Sequence, residues 1–301
     1  FELEVSGIAD VNGTLSMQAS STVDIDGDFD ATGGNVTFTG AGTLELAADV
    51  TSLGNFTSTT GSKVHYNGGA QTIVPASAKS GAYPIFEISG GPKTLTGTTK
   101  VNEDLIFSSN DDLITNGNIL EISETPTGTN IESDFDNPTN SRVIVGGTSS
   151  TVTVKYSTSG DAQCLIPLGI DGSSRPIGIT PASGNSSAVT YTVVYTPGTP
   201  YNGGSLNWGY VTNYTGSPIQ SGVGVAHVNN HYYYDISRSS VVDASLQMGF
   251  VGLTEPLDAD KYILHWSSGN NQWEKETGAS SAATGQVIVT NVSSFCLLYT
   301  S

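Results

Sequence analysis

The chain has 301 residues, enough for two domains with cores of their own. Charged residues make up only 13%, with 10 Lys and Arg against 28 Asp and Glu, for a formal net charge of -18. That surplus of negative charge argues against nucleic acid as a partner, and no apolar run reaches bilayer-spanning length, which argues against membrane insertion. Strand formers set between Gly, Asn and Asp turns dominate, without helical spacing of apolar residues over three turns, so the predicted class is all-β. Scarce Lys and abundant Ser and Thr suit an extracellular or cell-surface location.

Phe1 opens the chain without Met and without the regions of a signal peptide, which reads as a processed or trimmed end. Phe1, Leu3 and Val5 alternate with Glu2 and Glu4, the pattern of a half-buried strand that is able to add to a neighbour's sheet edge. An ordinary first strand of its own fold is the competing reading. Further on, Val23, Ile25 and Phe29 alternate with Asp24, Asp26, Asp28 and Asp30, which predicts four carboxylates on one face. Asp24, Asp26 and Asp28 are candidate ligands for a structural calcium ion, which takes several oxygens in a flexible cage; a solvated acidic face explains the same pattern.

The phrase at 23–29 followed by 35–40 returns at 50–56 followed by 63–68, and a looser copy runs through 101–107 and 117–122. Such a repeat marks stacked units that bury their apolar faces on one another. Residues 1–123 are therefore predicted to form a parallel β-helix or β-solenoid, with an antiparallel meander as the alternative. The polar, turn-rich stretch 124–141 is the predicted linker, where Glu132, Asp134 and Asp136 form a second candidate cation site. From 142 to 301 the strands lengthen and alternate cleanly, as at 152–156, 189–195, 231–236, 261–266 and 286–290, which predicts a β-sandwich. Trp266 and Trp273 flank a turn that reads as a hairpin.

Cys164 and Cys296 are able to pair as a disulfide if their strands are neighbours and the compartment is oxidising; two buried thiols are the alternative. Tyr201, Trp208, Tyr210 and Tyr214 fall in a loop at 199–216 that suits stacking on sugar rings. In Tyr232, Tyr233 and Tyr234, alternation sends at least one ring to the core. His65, His227, His231 and His265 lack metal-ligand spacing, and no nucleophile elbow or phosphate loop is present, so no catalytic residues are assigned.

Several segments resemble a known group of proteins. The stretch 54–57 with 64–73, the Ile166-Pro167-Leu168-Gly169 run with Ser174-Arg175-Pro176-Ile177, and the segments 233–237, 264–266, 272–274 and 292–295 are similar to modules of large Bacteroidetes surface proteins, many exported by the type IX route. The residues up to Ser301 do not resemble the sorting module that such exports carry. The resemblance implies an extracellular, largely non-catalytic stalk, adhesin or fibre-forming module. The expected function is thus a structural subunit that self-associates into a homopolymeric surface filament or adhesive layer, without a cofactor beyond a structural calcium. A monomeric adhesin binding surface glycans is the alternative. A polysaccharide lyase or glycosidase is the enzymatic rival, weakened by the few Lys and Arg of the first domain.

Overall fold

The computed structural model describes residues 1–76, 81–109, 111–123, 127–128, 142–144, 152–170, 173–197, 232–249, 263–267, 272–275, 279–280, 286–292 and 298–300. These residues are all-β, with no helix among them. The N-terminal region is a β-solenoid. Its first three coils each contribute three short strands: β1 (Glu2–Val5), β2 (Ala9–Asp10) and β3 (Thr14–Met17), then β4 (Thr22–Ile25), β5 (Phe29–Asp30) and β6 (Asn35–Phe38), then β7 (Thr43–Leu46), β8 (Val50–Ser52) and β9 (Asn55–Thr57). Like strands of successive coils pair in parallel, which makes three separate sheets around one interior. The next coils use two sheets, built from β10 (Lys63–Tyr66), β11 (Gln71–Ile73), β12 (Tyr83–Ile88), β13 (Lys93–Leu95), β14 (Thr99–Phe107), β15 (Asp112–Ile114) and β16 (Ile119–Ile122).

The register defines the repeat. Glu2 lies opposite Thr22, Thr22 opposite Thr43, Thr43 opposite Lys63 and Lys63 opposite Ile85, so coils are offset by 20, 21, 20 and 22 residues. The repeat legible in the sequence had a longer offset and mixed two faces: Phe29 stands beside Val50, and Phe56 stands beside Val36. Every face carries the same alternation and a Gly corner, so self-similarity alone does not say which face a segment joins.

Alternation places the apolar set inside. Val23, Leu44, Val64, Phe86 and Leu105 form one interior column, and Ile25, Leu46, Tyr66, Ile88 and Phe107 form the next, all buried. Rings link the coils: Phe38 meets Phe56 at 5.8 Å, Phe56 meets Tyr83 at 5.9 Å, and Tyr66 meets Phe86 at 5.8 Å. Corners are as repetitive as strands. Ser21 and Ser62 each donate back across their turns, to Gln18 O at 2.7 Å and Thr59 O at 2.6 Å. At a different corner, between β8 and β9, Gly54 has φ of +62° and a Cβ there would sit 2.3 Å from Ala31 O, so backbone stacking demands glycine.

Parallel pairing continues past residue 123. After β17 (Thr127–Gly128), β18 (Arg142–Ile144) pairs with β15, and β19 (Val152–Thr158) pairs with β16. The expected linker 124–141 lies almost wholly outside the described residues. Beyond it come β20 (Cys164–Ile166), β21 (Leu168–Ile170), β22 (Ser173–Ser174), β23 (Ile177–Pro181), β24 (Val189–Pro197), β25 (Tyr232–Arg238), β26 (Ala244–Gly249), β27 (Ile263–Ser267), β28 (Gln272–Lys275), β29 (Ala279–Ser280), β30 (Gln286–Val292) and β31 (Leu298–Thr300). Apart from β21, which pairs in parallel with β18, pairing here turns antiparallel: β19, β24, β25, β31, β27 and β28 prolong the long solenoid sheet, while β20, β23, β26, β30 and β29 form a second sheet. The expected hairpin is present, with Trp266 opposite Trp273 between β27 and β28. Tyr234 is a core ring, and its hydroxyl donates to Arg175 O at 2.7 Å.

Candidate functional site

The outward face of the long sheet carries the densest polar chemistry. In register from the chain start, Glu4, Asp24, Glu45, His65 and Glu87 form one column across five coils. Strand geometry brings such in-register side chains to about 4.5–5.5 Å at Cβ, so like charges there repel unless something intervenes. Lys63 and His65 intervene. Lys63 Nζ donates to Glu87 Oε2 at 2.7 Å, and His65 stands between two carboxylates, with Nδ1 3.9 Å from Glu45 Oε1 and Nε2 3.7 Å from Glu87 Oε1. Ser108 Oγ donates to Glu87 Oε1 at 2.5 Å, and Asn67 Nδ2 donates to Glu45 Oε2 at 3.2 Å.

His65 Nε2 lies 2.8 Å from Ser89 Oγ. A Ser, a His and a carboxylate in that order invite a nucleophilic reading, and the geometry argues against it. The orienting carboxylate must hydrogen-bond the far ring nitrogen, and 3.9 Å to Glu45 is beyond that range. The nearest backbone N–H groups are also committed elsewhere: Ser89 N–H donates to Tyr66 O at 3.0 Å and Gly90 N–H to Ser109 Oγ at 3.1 Å. Neither is available to stabilise an oxyanion.

Burial holds the His65 imidazole below its ordinary value, against the pull of Glu87 and Glu45, with Lys63 and Lys93 adding to the lowering. For Glu87, burial alone raises the carboxyl, but the hydrogen bonds from Lys63 and Ser108 and the influence of His65 and Lys63 outweigh it and hold the group below its ordinary range. Both shifts act in the same direction. The unfolded chain takes up the His65 proton as pH falls through about 6.5 while the fold resists it, so stability drops from there downward. The stabilisation at Glu87 is complete above the ordinary Glu value and is lost as pH falls through its lower folded value. Thermal unfolding followed by circular dichroism is expected to show a falling midpoint between pH 7 and 5. His65→Gln should flatten that part and leave the steeper loss at lower pH.

A second polar device lies in the corners. Lys93 is fully buried, and its Nζ donates to four carbonyls: Gly68 O at 3.0 Å, Gly69 O at 2.9 Å, Ser89 O at 2.7 Å and Gly91 O at 2.7 Å. It thereby ties the turn of one coil to the turn above it. Gln71, its in-register neighbour, does the same one coil earlier, donating to Leu46 O at 3.0 Å and Ala48 O at 2.7 Å and accepting from Gly68 N–H at 3.0 Å. Burial pulls the Lys93 ammonium down to about 8, with the charge of Asp111 opposing, so at neutral pH it remains a donor.

The expected acidic face is divided. Asp24 belongs to β4 on the long sheet, the chain then turns through Asp26, Gly27 and Asp28, and Asp30 lies in β5 on another sheet. All four carboxylates point outward, as alternation requires, but the corner sends them around the solenoid rather than onto one face. Asp28 Oδ1 accepts the Asp49 N–H at 3.3 Å, while Asp24 Oδ1 is shielded from solvent without a hydrogen-bond partner among the described residues. No group of three or more His, Cys, Asp and Glu with the geometry of a metal site occurs among the described residues. Cys164 is buried at the start of β20. Cys296, Glu132, Asp134, Asp136, Tyr201, Trp208, Tyr210 and Tyr214 lie outside the described residues.

Phe1, Leu3 and Val5 lie in the first coil of the stack. β1 pairs with β4 on one side and has no partner on the other among the described residues. Phe1 is 87% exposed, Leu3 40% and Ile8 76%, whereas Val23 and Ile25, the next residues of the Leu3 and Val5 columns, are buried. Neither family models, curated proteins nor solved structures show a match to this chain.

Proposed function

We propose that the chain is a non-catalytic extracellular structural module, a solenoid stacked on a C-terminal β-sandwich, that joins copies of itself into a surface filament or layer. The observation that carries this reading is the parallel stack, in which like strands of successive coils pair in register around one apolar interior; such units extend by adding like to like, and β1, with Phe1, Leu3 and Val5, is the proposed joining strand. The sandwich is supported by buried apolar residues on both sets of antiparallel strands, with Tyr191, Val193 and Tyr234 on one and Ile179, Leu246 and Val289 on the other. The non-catalytic reading rests on the His65 geometry, and the extracellular one on composition and the surface-protein resemblance. A structural calcium ion at the acidic residues is part of the same proposal.

Electron microscopy of the whole chain tests it, at rising concentration, at pH 7 and at pH 4, with added calcium and with a chelator. Regular end-joined particles or filaments are expected once the carboxylates are neutralised. Isolated particles under every condition would overturn the assembly reading and favour the glycan-binding one.

A further inference from the structure

The three sheets of the first coils differ in what they turn to water. The long sheet presents Glu4, Asp24 and Glu45, and the second presents Asp10 and Asp30. The third, made of β3, β6 and β9, presents no charge. Its outward residues stand in two files, Thr14, Asn35 and Asn55 in one and Ser16, Thr37 and Thr57 in the other. In a chain of net charge -18, this is the face that an uncharged partner can meet without stripping water from carboxylates. Pairing along it runs without a register shift, whereas the second sheet slips between Phe29 and Asp30.

The face is also held still. Val36 and Phe56 lie buried beneath it, with Phe38 edge-on to Phe56 at 5.8 Å. Asn55 Nδ2 donates to Asn35 Oδ1 at 3.1 Å and Asn35 Nδ2 donates to Thr14 Oγ1 at 3.2 Å, so the first file is a ladder whose amides are fixed in orientation. Thr37 and Thr57 are stiff at χ1, and their hydroxyls, with that of Ser16, have no hydrogen-bond partner among the described residues. Rigid, evenly spaced groups with free hydroxyls suit a partner that is itself periodic. Parallel strands space the side chains at about 4.8 Å across the strands and about 6.6 Å along them. Tetrahedral water with O–H···O contacts of about 2.75 Å repeats at about 4.5 Å and about 7.3 Å in the two directions of an ice prism face. Over three strands the mismatch grows to only about 0.6 Å across and about 0.7 Å along, comparable with the roughly 0.5 Å spread of O–H···O lengths. A neutral sugar polymer is the other periodic partner, and it favours aromatic rings to stack on, of which this face has none.

We infer that the third solenoid face is an ice-binding surface, with Thr14, Ser16, Asn35, Thr37, Asn55 and Thr57 seating ordered water of the crystal. The inference does not depend on the assembly reading, because these side chains point away from the coils rather than along the stack. Binding adds the contacts of both files at once, and the fixed side chains lose little freedom in making them.

The test measures the fraction of the whole chain taken into slowly growing ice and, in parallel, the concentration that halts ice recrystallisation. The native chain is expected to enter the ice and to halt recrystallisation. The double variant Thr37→Lys/Thr57→Lys stands two long cations between the files and the crystal, and should need at least about tenfold more protein for the same effect. Asn55→Asp keeps the side-chain shape and sets a strongly hydrated charge on the face, so it should lose at least about tenfold as well and decides the matter if the lysine pair fails to fold. Circular dichroism melting shows which variants are folded. Asp30→Asn, on the second sheet, is expected to match the native chain. Rejection of the native chain by the ice front would overturn the inference, as would face variants that bind like the native chain or an equal loss in Asp30→Asn. Saturable binding to insoluble cellulose or chitin, with rejection from ice, would overturn it too and assign the face to a polysaccharide.

Discussion

Lys93→Met is expected to destabilise the solenoid by about 3–5 kcal/mol, the range seen when one partner of a buried charged interaction is removed. The size follows from the number of groups left behind. Four carbonyls from two adjacent turns converge on one ammonium, and a methyl-capped thioether offers them no donor. The turns are also closely stacked: a Cβ at Gly90 would sit 2.5 Å from both Asn67 O and Gly68 O, which leaves little room for the corner to open and admit water. Gln71 indicates the repair. It ties the preceding turn with a neutral amide, so Lys93→Gln should recover a substantial part of the loss. Chemical denaturation of the three proteins measures this. A Met variant within about 0.5 kcal/mol of the native protein would show that the corner does not depend on the ammonium.

The second large effect is expected at Tyr83. Its ring lies between Phe56 and Phe86, and its hydroxyl donates to Val74 O at 2.5 Å and lies 3.3 Å from the Tyr66 hydroxyl. Burial raises both phenols well above the ordinary tyrosine value, so they act as neutral hydrogen-bonding groups throughout the physiological range. Tyr83→Ala removes ring contacts to Phe56 of an earlier coil and to Phe86 of its own strand and leaves a cavity, for an expected cost of about 3–5 kcal/mol. Tyr83→Phe keeps the ring and strips a buried carbonyl of its donor, for about 1–3 kcal/mol. If denaturation gave equal losses for the two variants, the hydroxyl rather than ring packing would join these coils.

The sequence made the solenoid legible because its signal is dense. Alternation at 23–25, 44–46 and 64–66 recurs with glycine or serine corners, and a stacked fold repeats every such choice coil after coil. What escaped was long-range. The Glu45, His65 and Glu87 column requires the 20- and 22-residue register, which is set by which faces stack and not by any local pattern. The division of Asp24, Asp26, Asp28 and Asp30 followed from a corner at Gly27 that strict alternation conceals. Lys93 escaped for a related reason: its inward turn depends on carbonyls roughly 2 to 25 residues away in sequence, and in sequence it reads as an ordinary surface lysine. In the C-terminal region the long strands were readable from alternation, which also required a core ring among Tyr232, Tyr233 and Tyr234 without saying which. The shorter β20, β23 and β26 were not: β20 has only three residues, and β23 and β26 include glycine or proline.

The central claim is that copies of this chain join through β1, in the first coil of the solenoid. Hydrogen–deuterium exchange, read peptide by peptide as protein concentration rises under carboxylate-neutralising conditions, tests it most directly. The account predicts new protection confined to the first coil, at residues 1–17, growing with concentration and lost in Leu3→Lys. Association that left those residues unprotected and instead shielded the far edge of the long sheet, at Gln272–Lys275, would contradict it.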